Sequence, residues 1–178
     1  MSWIQPFTGR AFYPLNPRVE DVDILDIAHA LSMLCRYNGH CRFYYSVAEH
    51  SCRVHDLLES QGHDPQTCLW GLLHDASEAY LGDMVRPLKH QPGMAAFREA
   101  EARVTSTIMQ RFGLPEEEPA VVKHADNVIL ASEKNSLMGP APQKWSPLPD
   151  PIRFNTTLGW DPSVARNRFL QRFKVIQS

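Results

Sequence analysis

Apolar residues return every three or four positions along most of the chain, a spacing that predicts helices. Ile24, Ile27, Ala28, Leu31 and Cys35 keep it from a cap at Asp23 to a stop at Asn38-Gly39. Ser46-Val47-Ala48-Glu49 has the form of a capping box, in which the serine and glutamate side chains reciprocally satisfy free backbone N–H groups. Val47, His50, Val54 and Leu57 then share one face, so His50 is expected to project with the core stripe. Asp64-Pro65 opens the next helix, whose stripe Leu69, Leu72, Leu73, Ala76 and Tyr80 runs to Gly82. Further helices are predicted from Met94 to Phe112, from Glu116 to Met138 and after Asp161-Pro162.

Two stretches break the pattern. The first twenty residues, with a Thr8-Gly9 turn, read as an extended or hairpin element, and Gly139 to Pro151 holds five prolines, which makes it a loop and a candidate cover over a site. No internal repeat interrupts the chain. The expectation is an all-α fold: one domain, a compact helical bundle with a small extended element at the amino terminus.

Composition narrows the function. A length of 178 residues suits one hydrophobic core, and 43% hydrophobic with 21% charged residues is ordinary for a globular protein. No apolar run could cross a bilayer, and the first residues show no basic region followed by an apolar core, so a cytoplasmic location is expected and a membrane partner is not. Cys35, Cys41, Cys52 and Cys68 form no Cys-x-x-Cys pair, and reduced thiols are expected. Net charge is −2 with no basic run, which argues against duplex nucleic acid while leaving small phosphates open.

The chemistry concentrates at His74-Asp75-Ala76-Ser77-Glu78, where a histidine and an aspartate interrupt an apolar helix. Buried aspartate needs a partner, and a metal ion explains both residues. His50 lies on a core face, and Asp126 shares one with Val122, Ile129 and Glu133. Three helices thus direct ligand-capable side chains inward. Two imidazoles and two carboxylates suit one divalent metal such as manganese, iron, cobalt, nickel or zinc.

The order His50, His74-Asp75, Asp126 resembles the H…HD…D signature of the HD superfamily of metal-dependent phosphohydrolases. Within it, the chain is most similar to bacterial 5'-deoxynucleotidases and to small HD proteins of phages and prophages, from about Arg36 to Glu133. The segments that carry the likeness are Ser46 to Ser51, His74 to Glu78, Leu81-Gly82-Asp83, Arg86-Pro87-Leu88-Lys89 and Val122 to Asp126.

The resemblance implies hydrolysis of a 2'-deoxynucleoside 5'-monophosphate, with a deoxynucleoside triphosphate as the alternative substrate and a noncatalytic metal-containing binding protein as the alternative class. It implies that Glu78 activates or positions the attacking water, that Asp83 faces the sugar, and that Arg36, Lys89 and Lys123 bind phosphate, with Pro87 in the same motif as Lys89. It allows a second metal brought by the substrate. The family pattern has tryptophan where Tyr37 stands, which leaves the base-stacking residue open. The expected partners are the nucleotide and further copies of the chain. The remaining histidines are read as structural or exposed, with His124 a candidate to support Asp126.

Overall fold

The structure is a computed structural model that describes residues 2–153 and 159–177. It is all-α. The helices are α1 (Ile24–Met33), α2 (Val47–Ser60), α3 (Pro65–Leu73), α4 (Glu78–Leu81), α5 (Arg86–Lys89), α6 (Ala95–Arg111), α7 (Ala120–Leu137) and α8 (Pro162–Gln177). The amino-terminal element is a bridge between Ile4 and Phe12, antiparallel, that closes over the Thr8-Gly9 turn. Phe12 is fully buried and stacks on Tyr80 of α4 at 3.8 Å between centroids.

Helix α2 is the centre of the bundle, packed against α1, α3, α7 and α8. Val54, Leu57 and Leu58 of α2 meet Leu69, Leu72 and Leu73 of α3, Ile129 of α7 and Phe169 of α8 in one core. Each such side chain contributes ~1.5 to 3 kcal/mol by leaving water. Gly71 sets how closely α3 approaches α2, because a Cβ there would lie 2.4 Å from Leu58 Cδ1. That approach brings the carriers of His50 and His74 together.

Four predicted features are corrected. The first helix stops at Met33, because Cys35 leaves it to bridge Ser46, with Arg36 N–H on Tyr45 O at 2.9 Å and Val47 N–H on Leu34 O at 3.0 Å. Residues 36–39 follow as a single 3-10 turn, in which Tyr37 and Asn38 have φ of 56° and 51°. The helix predicted from Asp64 to Gly82 is interrupted over residues 74–77 by i→i+3 bonding, as in Ala76 N–H on Leu73 O at 2.9 Å and Glu78 N–H on Asp75 O at 3.0 Å. His74 and Asp75 therefore sit at a break, not in mid-helix. The capping box is half made: Ser46 Oγ accepts from Glu49 N–H at 3.1 Å, but the Glu49 carboxylate accepts from Arg53 and from Trp160 N–H at 2.7 Å. The helix predicted from Glu116 begins at Ala120, after Pro119.

Candidate metal centre

Four donor atoms converge where α2, the turn after α3, and α7 meet. His50 Nε2 lies 3.1 Å from His74 Nε2, 3.7 Å from Asp75 Oδ2 and 3.3 Å from Asp126 Oδ1. His74 Nε2 lies 3.2 Å from Asp75 Oδ2 and 4.0 Å from Asp126 Oδ1. Bonds of ~2.0 to 2.2 Å meeting at ~90° to 110° would separate neighbouring donors by about 2.8 to 3.6 Å. Three of the five separations fall inside that window, and the two wider ones are His50 to Asp75 and His74 to Asp126. His50, His74 and Asp75 form the tighter group, and Asp126 joins it through the imidazoles.

The tautomers point the same way. A backbone carbonyl can only accept, so His74 Nδ1 donates to Gly71 O at 2.8 Å. Glu133, although burial opposes its charge, is brought down to about 2 by Arg36 and His50, so it is ionised and His50 Nδ1 donates to its Oε1 at 2.7 Å. Both Nε2 lone pairs then face each other across 3.1 Å, an arrangement that repels unless a cation or a proton lies between them. Burial disfavours charge on His74, but Asp75 and Asp126 raise its pKa to about 9. The donor set fits a borderline divalent metal.

Glu133 was not among the residues expected to act. Its side chain is fully buried two helical turns beyond Asp126, and it accepts from His50, from Arg36 Nε at 3.2 Å and from the Tyr37 hydroxyl at 2.6 Å. The stripe Val122, Asp126, Ile129, Glu133 contained the signal, because residues seven apart share a helix face. His124, read as structural or exposed with support of Asp126 as the lesser alternative, is exposed. Lys123 takes that place, donating from Nζ to Asp126 Oδ2 at 2.8 Å.

A cavity of about 420 Å³ opens from the centre, lined on the metal side by His74, Asp75, Glu78 and Lys123 and opposite by α6. Glu78 Oε2 is buried there without a hydrogen-bond partner, and burial, Asp75 and Asp83 push its carboxyl well above the usual range. Lys89 reaches the cavity but is held by Glu101 at 2.6 Å. Arg98 donates to the carbonyls of Lys89 and Gln91.

Other expected contributors do not line the cavity. Arg36 is committed to Asp75 at 3.3 Å and to Glu133, and the hydroxyl of Tyr37 to Glu133. Asp83 is half-buried just past Gly82, with burial and Asp75 raising its carboxyl against the pull of Arg36. Pro87 is exposed on α5. None of residues 139–153 lines the cavity, so the expected cover is not formed by that loop; Ile152 N–H instead bonds Ser132 Oγ on α7 at 3.0 Å. Among the described residues no helix is long and apolar enough to cross a membrane.

No family model matches the chain. The uncharacterized protein YfdR of Escherichia coli K12 is 34% identical over 176 residues, covering 97% of this chain and 94% of its own. The chain belongs to the YfdR family. A second relative, an uncharacterized protein of Rhodobacter capsulatus, is 38% identical over 146 residues, which is 78% of this YfdR-family chain and 74% of the relative.

Proposed function

We propose that this protein is a divalent-metal-dependent phosphohydrolase of the HD type that removes phosphate from 2'-deoxynucleoside 5'-monophosphates. The observation that carries the reading is the convergence of His50, His74, Asp75 and Asp126 beside a cavity lined by Glu78, one of whose carboxyl oxygens is buried without a partner. The ordered H…HD…D motifs support it. A closed structural site would satisfy its donors internally and needs neither a cavity nor a base.

A bound dication supplies Lewis acidity at the phosphoryl group. The protein's own residues do the rest. Lys123, already fixed on Asp126, faces the developing charge from the cavity wall, and Lys89 does so once the substrate competes with Glu101. Glu78 accepts the proton of the attacking water. Arg36 holds Asp75 and Glu133 in position, and Asp83 is assigned to the sugar.

Charge favours a monophosphate. The lining cations Lys89, Arg98 and Lys123 are each engaged by protein acceptors, while Glu101, Glu116 and Glu118 line the same cavity. A triphosphate would set two further phosphates against this acidic wall without uncommitted lining cations. The test is a panel of deoxy- and ribonucleoside mono- and triphosphates with metal-loaded protein, reading free phosphate against triphosphate. Phosphate from deoxynucleoside monophosphates is expected. Triphosphate as the main product overturns the substrate assignment, and no turnover on any member overturns the reaction.

A further inference from the structure

Cys35 and Cys41 flank the 3-10 turn that carries Arg36 and Tyr37, and their Sγ atoms lie 3.8 Å apart. The Cys41 thiol also donates to Arg36 O at 3.3 Å. Both cysteines are half-buried, unlike Cys52 and Cys68, which are buried singly in the core. We propose that Cys35 and Cys41 are a dithiol modification site, closed to a disulfide by exchange with a small disulfide such as oxidised glutathione, and that closure loosens the Arg36-Tyr37 turn from the metal centre.

The mechanical argument follows from what is anchored. Cys35 is held by its bridge to Ser46, and Arg42, next to Cys41, is held by its N–H on Leu137 O at 2.9 Å. A disulfide needs a sulfur separation of about 2.05 Å, so the two atoms must approach by about 1.8 Å. Arg36 N–H is held on Tyr45 O at 2.9 Å, so the segment left to absorb this is the rest of the turn, residues 37–40. Its Tyr37 and Asn38 already occupy the left-handed region, which non-glycine residues seldom adopt. Oxidation also removes the thiol proton that ties Cys41 to Arg36 O. Arg36 and Tyr37 both donate to Glu133, and Glu133 accepts from His50 Nδ1, so a shift of the turn reaches a metal ligand through two consecutive contacts.

The exchange balances. Cys35 thiolate attacks one sulfur of oxidised glutathione and releases one glutathione thiolate, which takes up a proton. Cys41 then loses its proton and attacks the Cys35 sulfur of the mixed disulfide, releasing the second glutathione. Two thiol protons and two electrons pass to glutathione, and one protein disulfide forms. Burial and the neighbouring Cys35 push the Cys41 thiol up to about 12, so the second step is slow at neutral pH and quickens as pH rises.

The test uses the full chain with and without oxidised glutathione, read by peptide mass spectrometry after alkylation and by manganese affinity in a chelator competition. A Cys35–Cys41 cross-link is expected, with affinity falling about tenfold, within the range seen when support for a ligand is disturbed, and returning with dithiothreitol. Cys41→Ser is expected to form no cross-link and to keep its affinity under oxidant. A stable glutathione adduct without cross-link overturns the proposal. So does a cross-linked protein with unchanged affinity, or a loss that persists in Cys41→Ser.

Discussion

His50 Nε2 and His74 Nε2 face each other at 3.1 Å while both Nδ1 atoms are engaged, one on Glu133 and the other on Gly71 O. This pairing would present both histidines to a metal through the same ring nitrogen. Replacing His74 by alanine is expected to abolish stoichiometric metal binding, measured by elemental analysis after desalting. Full occupancy in that variant removes His74 from the site.

Glu133 fixes the tautomer of His50. Glu133→Gln preserves volume but lets the amide nitrogen compete for the position facing Nδ1, and metal affinity is expected to fall ~10- to 100-fold. Chelator competition reads the change, with circular dichroism as the check on folding. An unchanged affinity would show that His50 is oriented without the carboxylate.

The helical stripes, the caps at Asp23, Ser46 and Asp64, and the inward direction of His50 and Asp126 were legible in the sequence, because each depends on residues within two helical turns. What escaped depends on distant partners. The helix break at His74 accompanies its own side chain bonding Gly71 O, which competes with backbone acceptance there. Glu49 fits a capping box locally, yet Trp160, 111 positions away, claims its carboxylate. Nothing near Arg36 announces that Asp75 and Glu133 hold its guanidinium.

In the proposed reaction Glu78 accepts a proton without serving as a ligand. Glu78→Gln is therefore expected to keep its metal and lose ~10²- to 10⁴-fold in kcat. A metal-replete variant with unchanged kcat would assign the proton to another group.

Helix α8 is clamped to α2 by Arg172, which donates from Nε and Nη2 to the Asp56 carboxylate, both at 2.6 Å. Burial opposes the charge on Asp56, but His55 and Arg172 bring its carboxyl down to about 2 from an ordinary 3.8. A depressed pKa contributes stability that is present above the ordinary value and is lost as pH falls through the folded one, here between about 4 and 2. The Asp56 side chain is 45% exposed, so solvent screening reduces the contribution to about 1 kcal/mol. Urea unfolding of wild type and Arg172→Met should differ by the Arg172 share of that amount at pH 6, His55 supplying the rest, and converge near pH 2. An equal gap at both values would locate the effect in packing of the arginine stem.

The most direct measurement is phosphate release from a deoxynucleoside monophosphate by protein stripped of metal and reloaded in graded amounts. Activity is expected to be absent in the stripped protein, to rise linearly and to level at one equivalent of manganese or cobalt per chain, or later only if a second ion arrives with substrate. Phosphate release by the stripped protein, or none at full loading, contradicts a metal-dependent phosphohydrolase.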